Sequence, residues 1–268
     1  MQRKVILVLI DGLAWQVARD SLGYLLGLAE AGRASAYSLC AALPSLSRPL
    51  YECILTGAAP VDSGIVHNGV RRLSNQSSLF HLARAGGRRT AAAAYHWISE
   101  LYNRSPYVAR RDRHTNDDSL PIQHGMFYHC DDYPDEHLLL DADTLLRLHA
   151  PDFLLVHPMN VDDAGHRHGL DSAAYRNAAR RFDALLSDYL SDWLAAGYQI
   201  LVTSDHGMNA DGTHGGSLPE EREVPLFVLG DGFSHHPSLT IDQTMLCGSM
   251  ATLMGLAHDK PYCPELLA

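Results

Sequence analysis

The sequence predicts an α/β protein whose central sheet is mostly parallel and is flanked by helices on both faces. Short apolar runs rich in Val, Ile and Leu alternate along the chain with longer segments of helical periodicity. The first run, Lys4 to Ile10, is apolar at nearly every position, which is typical of a strand buried on both faces. The chain has 268 residues and shows no repeat or linker, so we expect a single domain over residues 1–268.

In the first third of the chain, turn-forming residues mark where the predicted strands and helices end. The opening strand stops at Asp11-Gly12, and the helical pattern that follows it stops at Gly32. A later helix begins near Pro49 and stops at Gly57. In chain order, the segments predicted here are a helix at 14–31, a strand at 34–39, a helix at 49–56, a loop at 58–75, a helix at 78–85 and a strand at 90–95.

Residues 96–135 show no clean period and are rich in polar, aromatic and His side chains. We expect an irregular segment that lies over the functional site. Beyond it the alternation resumes, and a long amphipathic pattern is stopped by Gly197. The predicted segments are a helix at 135–148, a strand at 153–157, a helix at 172–196, strands at 200–203 and 225–229, and a helix at 241–254.

Composition and charge narrow the class of protein. A hydrophobic content of 46% and a charged content of 19% are those of a soluble globular chain. The net charge of −10 disfavours a nucleic-acid polymer or an anionic membrane surface as the main partner. A small phosphorylated substrate stays compatible with this charge, because bound metal ions can reverse the local field.

Cysteine usage and the apolar runs predict a cytoplasmic protein. The five cysteines form no CxxC pair, which favours reduced thiols. The first apolar run ends in Asp-Gly rather than in a cleavage site, so we interpret it as a strand and not as a signal peptide. No run reaches the length of a membrane span, so we predict no membrane partner.

Chemistry-bearing side chains follow several of the predicted strands. In parallel sheets, ligands bind outside the carboxyl ends of the strands, so these side chains are expected on one rim. Each has an ordinary explanation when taken alone, since an Asp after a strand is often a helix N-cap and a lone His is usually structural. Their joint placement favours a metal site. The residues are Asp11, Ser47, Asp162, His166, Asp205, His206 and His214.

Ser47 stands just ahead of a predicted helix. A helix start offers unpaired N–H groups and the positive end of the helix dipole, which suits an anion such as phosphate. We interpret Ser47 as a nucleophile and Asn68, at the end of the following loop, as a donor to the anion that it attacks. Read locally, Ser-x-Pro is equally an ordinary helix start with Ser as N-cap.

A family resemblance rests on motifs that occur in order from about residue 4 to 256. The chain resembles the alkaline phosphatase superfamily, and within it most closely the nucleotide pyrophosphatase/phosphodiesterase branch. The motifs are VLIDG, PSLSRP, LTGAAPVDSGIVHN, NVDDAGHRHG, SDHGM, THGG and EEREVPLFVLG.

This resemblance implies a hydrolase with two zinc ions bridged by the substrate phosphate. By position, Asp162, His166 and His214 would hold one zinc, and Asp11, Asp205 and His206 would hold the other, with the Ser47 oxygen as its remaining ligand. Imidazole and carboxylate groups suit Zn²⁺. The expected reaction cleaves a phosphodiester or pyrophosphate bond, with nucleotides among the candidate substrates, through a covalent intermediate on Ser47. Asn68 falls where the family places its phosphate-binding Asn.

The chain also departs from the family pattern. The branch commonly has Thr as nucleophile followed by an aromatic residue, whereas this chain has Ser47 and Arg48, and Leu50-Tyr51 replaces Asn-His. Arg48 is either a contact for a substrate carboxylate or second phosphate, or a solvated side chain. Loss of the aromatic residue weakens the case for nucleobase stacking.

Other functions stay open within the same chemistry. They are a phosphomonoesterase, a phosphonoacetate-type hydrolase, a phosphotransferase and, outside catalysis, a metal-binding module. The extra charge of a phosphate monoester needs further positive groups, and no Lys lies near a motif. This absence favours diesters over monoesters.

Overall fold

The computed structural model describes residues 2–268, which form one sheet of eight strands in the order β2-β8-β7-β1-β6-β3-β5-β4. The strands are β1 Lys4–Ile10, β2 Ser35–Cys40, β3 Thr90–Tyr95, β4 His114–Asn116, β5 His124–Tyr128, β6 Phe153–Val156, β7 Tyr198–Ser204 and β8 Glu223–Leu229.

Five neighbouring strands, from β7 across to β5, run parallel. In the centre, Val8 of β1 lies between Val156 of β6 and Val202 of β7. Strand β8 runs antiparallel to β7, and β2 runs antiparallel to β8, so β2 points the same way as β1. The predicted mostly parallel sheet is therefore confirmed, and the carboxyl end of β2 lies at the same edge as that of β1.

Each face of the sheet carries its own hydrophobic core. Alternate residues of β1 divide between them, because successive side chains of a strand point to opposite faces. Ile6, Val8 and Ile10 belong to one core, whereas Leu7 and Leu9 belong to the other. Helices cover both cores, which explains why β1 reads as a continuous apolar run.

Twelve α-helices are found in residues 2–268. They are α1 Trp15–Ser21, α2 Gly23–Glu30, α3 Ser47–Thr56, α4 Pro60–Ser63, α5 Leu79–Ala85, α6 His96–Tyr102, α7 Ala109–Asp112, α8 Asp135–His149, α9 Asn160–His168, α10 Ala173–Ala195, α11 Pro219–Arg222 and α12 Leu246–Leu253. Within that range, none combines the length and the apolar character needed to cross a bilayer.

Two predicted helices differ in the structure. The pattern at 14–31 forms two helices, because the backbone leaves helical geometry at Leu22, with ψ of 73°. The pattern at 241–254 begins as a 3₁₀ turn at Gln243–Met245 and becomes regular helix only from Leu246. In both cases the apolar periodicity predicts a helical segment but does not reveal where the backbone departs from regular helix.

The prediction that residues 96–135 are irregular is wrong, because this segment supplies two helices and two strands, α6, α7, β4 and β5. Strand β5 adds to β3 in parallel, with Ala93 opposite Met126, and β4 closes that edge in antiparallel pairing. These strands have 5 and 3 residues. They owe their conformation to pairing with the sheet, which a local pattern does not record.

Candidate active site

The polar side chains predicted to share a rim are brought together by the strand ends. Asp11 follows β1 directly and Asp205 follows β7 directly. Helix α9, which follows β6, carries Asp162 and His166 one turn apart on a single face. Ser47 opens α3 after the loop that leaves β2. The structure therefore places each of these residues at the same edge of the sheet.

Gly12 allows the backbone to pass close to two of these carboxylates. Its φ of +70° lies in the left-handed region, and a Cβ there would stand 2.6 Å from Asp162 Oδ1. Its N–H donates to Asp205 Oδ1 at 3.1 Å. The Asp-Gly pair at the end of β1 therefore has a packing reason as well as a turn-forming one.

The three predicted His ligands use their Nδ1 atoms in the same way. Each Nδ1 lies 2.8 Å from a backbone carbonyl oxygen, which can only accept a hydrogen bond. The neutral rings therefore carry their proton on Nδ1 and turn an Nε2 lone pair inward, as metal-bound histidines commonly do. The pairs are His166 with Gly212, His206 with Gly207, and His214 with Ser45.

The Nε2 atoms meet oxygen atoms in two adjoining groups. His206 Nε2 lies 3.0 Å from Ser47 Oγ and 3.3 Å from both Asp11 Oδ1 and Asp205 Oδ2. In the second group, His166 Nε2 lies 3.3 Å from Asp162 Oδ2 and 3.3 Å from Nε2 of His214. His206 and His214 stack at 3.6 Å between ring centroids, so the two groups are contiguous.

Burial and mutual charge interactions shift the pKa values of the carboxylates and histidines at this centre. Burial and the neighbouring Asp11 charge raise the pKa of Asp162 and Asp205. Burial would lower the pKa of His206, but Asp205, Asp11 and Asp162 outweigh it and raise that pKa to about 10. Burial and the nearby His206 lower the pKa of His214 to about 3. Three carboxylates packed this closely need cations, which are either protons or metal ions.

The residues present fit a pair of divalent cations. Each of the three predicted carboxylate ligands has one buried oxygen without a hydrogen-bond partner in residues 2–268: Asp11 Oδ1, Asp162 Oδ1 and Asp205 Oδ2. Potential ligand atoms form two clusters, and within each cluster they lie within 4.8 Å of one another: Asp162, His206 and His214 form one, and Asp11, Asp205 and His206 form the other. Unpartnered buried oxygens beside imidazole lone pairs form the donor set that Zn²⁺ takes in proteins.

Ser47 and Asn68 are both at the centre. Ser47 is the first residue of α3, and its Oγ contacts His206 rather than capping the helix. The Arg48 backbone N–H donates to Asn68 Oδ1 at 3.0 Å. This N–H is therefore occupied by Asn68, whose Nδ2 amide keeps its donor capacity.

Arg48 is not solvated, contrary to one of the two predicted alternatives. Its guanidinium is fully buried, lies 2.8 Å from Glu100 Oε2, and stacks over Trp97 at 4.5 Å. Burial lowers the pKa of Arg48, and the nearby Glu100 opposes this shift. A direct contact between Arg48 and substrate stays a prediction.

Two further residues at the centre were not identified from the sequence. The Tyr51 hydroxyl donates to Asp11 Oδ2, and His157 Nε2 lies 3.3 Å from the same oxygen. A signal for each exists in the chain. His157 immediately follows β6, as Asp11 follows β1, and Tyr51 lies one helical turn after Ser47.

Comparison with known proteins identifies the family. Residues 5–211 match the family described as type I phosphodiesterase / nucleotide pyrophosphatase. The chain belongs to this family. Its members have the alkaline-phosphatase-like sheet described above, and the resemblance inferred from the motifs is confirmed.

Curated relatives of this family member include human GPI ethanolamine phosphate transferase 2, catalytic subunit. The two are 23% identical over 98% of this chain and 27% of the human protein. GPI ethanolamine phosphate transferase 2 of Candida albicans is 23% identical over 87% of the chain and 26% of its own length. The chain thus spans about a quarter of these relatives.

Solved structures share the fold of this family member at low sequence identity. Murine ectonucleotide pyrophosphatase / phosphodiesterase 5 has a TM-score of 0.78 at 12% identity, with 99% of this chain and 100% of that chain covered. The C-terminal periplasmic domain of EcEptC from Escherichia coli has a TM-score of 0.70 at 13% identity, over 98% and 87% of the two chains.

Proposed function

We propose that this protein is a two-zinc enzyme that cleaves a phosphodiester or pyrophosphate bond through a covalent intermediate on Ser47. The observation that carries the proposal is the 3.0 Å contact between Ser47 Oγ and His206 Nε2, beside three buried carboxylates that each have one oxygen without a hydrogen-bond partner in residues 2–268. A serine at the start of a helix is positioned to receive a phosphate anion.

The proposed reaction consists of two successive displacements at phosphorus. In the first, the Ser47 alkoxide forms a bond to phosphorus while the bond to the leaving oxygen breaks, and the hydroxyl proton passes to solvent. In the second, the oxygen of water or of an acceptor alcohol replaces Ser47 Oγ on phosphorus. Asn68 Nδ2 would donate to a non-bridging oxygen in both steps. Bound zinc would act as a Lewis acid that makes the alkoxide accessible near neutral pH.

The two proposed zinc sites keep the ligand sets that the family resemblance implies, and the distances among these side chains support them. Asp162, His166 and His214 would hold one ion, and Asp11, Asp205 and His206 would hold the other. Mixed imidazole and carboxylate ligands favour zinc over Mg²⁺ or Ca²⁺, which prefer oxygen ligands alone.

A test combines turnover with metal content. Wild-type protein loaded with zinc should hydrolyse bis-p-nitrophenyl phosphate faster than p-nitrophenyl phosphate. Ser47→Ala should abolish turnover while most zinc stays bound. Ser249→Ala is a matched control, because this buried serine of α12 donates to the carbonyl of Met245, the residue before that helix, and touches none of the proposed ligands. Turnover that survives Ser47→Ala would remove Ser47 as nucleophile.

Transfer to an alcohol is the second candidate function. It is favoured by the named relatives, which are ethanolamine phosphate transferases matched over most of this chain. The aromatic residue that the family commonly has next to the nucleophile is replaced here by the buried Arg48. This replacement disfavours stacking of a nucleobase at that position. Product analysis separates the candidates: a transferase forms a new phosphodiester when an acceptor alcohol is added, whereas a hydrolase releases the phosphorylated product to water.

We retain a small phosphorylated molecule, rather than a nucleic-acid polymer, as the proposed substrate. The net charge of −10 repels polyanions, while a metal pair would attract a single phosphate group. A cytoplasmic location without a membrane partner is likewise our proposal for this chain, and cell fractionation of the whole protein tests it.

A further inference from the structure

The two oxygens of Asp11 have different surroundings. Oδ1 lies 3.3 Å from His206 Nε2 and lacks a hydrogen-bond partner within residues 2–268. Oδ2 accepts a hydrogen bond from the Tyr51 hydroxyl and lies 3.3 Å from His157 Nε2. Because Asp11, Tyr51 and His157 are all fully buried, water does not compete for either oxygen. The protein itself decides how this carboxylate is turned.

His157 uses its ring nitrogens in the opposite way to the three proposed ligands. The Tyr95 backbone N, which can only donate a hydrogen bond, lies 3.3 Å from His157 Nδ1. The neutral ring therefore carries its proton on Nε2, the atom that faces Asp11. The three ligand histidines instead direct an Nε2 lone pair at the centre. His157 Nε2 lies 3.3 Å from Asp11 Oδ2 and has no other partner in residues 2–268, although the contact is not aligned as a hydrogen bond. His157 accordingly turns an N–H group, and not a lone pair, toward Asp11, so it is not placed as a ligand.

Tyr51 connects Asp11 to the helix that bears the nucleophile. It lies four residues after Ser47 in α3, so both side chains emerge from one face of the helix. The Tyr51 and His157 rings pack edge to face at 4.7 Å between centroids. The two donors therefore form one packed unit behind Asp11.

We propose that Tyr51 and His157 are positioning residues that together hold Oδ2 of Asp11, so that Oδ1 alone is presented to the cation shared with Asp205, His206 and Ser47. This inference rests on the proposed metal dependence. The hydrogen bond from Tyr51 to Asp11 also fixes the position of α3, and hence of Ser47 Oγ, relative to that cation. Neither residue touches substrate or takes part in the displacement.

The test measures zinc affinity by competition with a chromophoric chelator, in Tyr51→Phe and His157→Leu. Each variant should weaken zinc binding at one of the two sites by about 10- to 100-fold, the range typical when a partner of a metal ligand is removed. His157→Gln keeps an acceptor and an N–H donor and should recover part of the loss. When zinc is saturating, the kcat of each variant should lie closer to the wild-type value than its zinc affinity does.

Tyr102→Phe is the matched control, because this buried tyrosine also donates to a buried carboxylate, Glu52, at 2.9 Å. It touches none of the proposed ligands, so its zinc affinity should equal that of wild type. Zinc affinity unchanged in Tyr51→Phe or His157→Leu would remove that residue from the role, and an equal loss in Tyr102→Phe would overturn the inference. A wild-type protein that binds no divalent metal would contradict the proposed function instead.

Discussion

Arg48, the residue that follows the proposed nucleophile, is fully buried and holds Glu100 of α6 at 2.8 Å. The pair joins the first turn of α3 to α6, and Trp97 covers the guanidinium at 4.5 Å. Two of its nitrogens, Nε and Nη1, are buried without a hydrogen-bond partner in residues 2–268. A buried charge with one ionic partner makes the helix that carries Ser47 sensitive to the loss of that partner.

Glu100→Gln should therefore destabilise the protein by about 3–5 kcal/mol, because it leaves the Arg48 charge buried and unpaired. The double variant Arg48→Met, Glu100→Leu should recover much of this loss, since an apolar pair replaces a buried ion pair at similar volume. Urea denaturation measures both. As a control, Arg147→Met breaks an exposed pair with Asp143 and should cost about 1 kcal/mol or less. A Glu100→Gln variant as stable as wild type would contradict this account.

Gly12→Ala should disrupt the proposed metal site. The new Cβ would stand 2.6 Å from Asp162 Oδ1, at a φ of +70° that L residues rarely adopt. Elemental analysis should find a clear loss of bound zinc together with lower thermal stability. Gly27→Ala is the matched control, because its Cβ would meet nothing within 4 Å inside α2, and it should stabilise the helix by about 0.5–1 kcal/mol.

Asp135 should make stability depend on pH. Burial raises its pKa from 3.8 to about 7, so the folded chain binds this proton more tightly than the unfolded chain does. The stability that this bound proton contributes is fully present below pH 4 and is lost as the pH rises to 7. The total loss in the free energy of unfolding is on the order of 4 kcal/mol. Asp135→Asn should lack this loss and gain stability relative to wild type across that range. Urea titrations at several pH values measure it.

The control for Asp135 lies on the same helix. Asp143→Asn alters a carboxyl that pairs with Arg147 on the exposed face of α8, and the stability of this variant should follow the wild-type pH curve. Parallel pH curves for Asp135→Asn and wild type would show that the Asp135 carboxyl does not supply the effect.

Metal removal should lower the melting temperature. Three buried carboxylates face one another at the centre, and a bound cation relieves their repulsion only in the folded state. At a free metal concentration 1,000 times the Kd, one site contributes about 4 kcal/mol, which a chelator would withdraw. Calorimetry with and without chelator measures the shift. In His214→Ala the shift should be smaller, and an equal shift would place the metal elsewhere.

The sequence by itself was enough to predict the mostly parallel sheet and the family. Helices cover both faces of strand Lys4–Ile10, so its side chains are apolar at nearly every position. Asp11 and Asp205 directly follow strands, so the rule that parallel strands share a carboxyl edge was enough to group them. The place of Ser47 at a helix start is compatible with a simple N-cap, and only the Asp and His residues elsewhere in the chain favour its interpretation as a nucleophile.

Only the tertiary structure decided which groups hold the others in place. The pairing of His124–Tyr128 with β3, the burial of Arg48 against Glu100, and the contacts of Tyr51 and His157 with Asp11 join residues far apart in the chain. Spacing along the chain carries no record of such contacts. Hydrogen-bond direction is likewise set by neighbours, so the roles that we propose for the histidines follow from the carbonyl or N–H group that each Nδ1 meets.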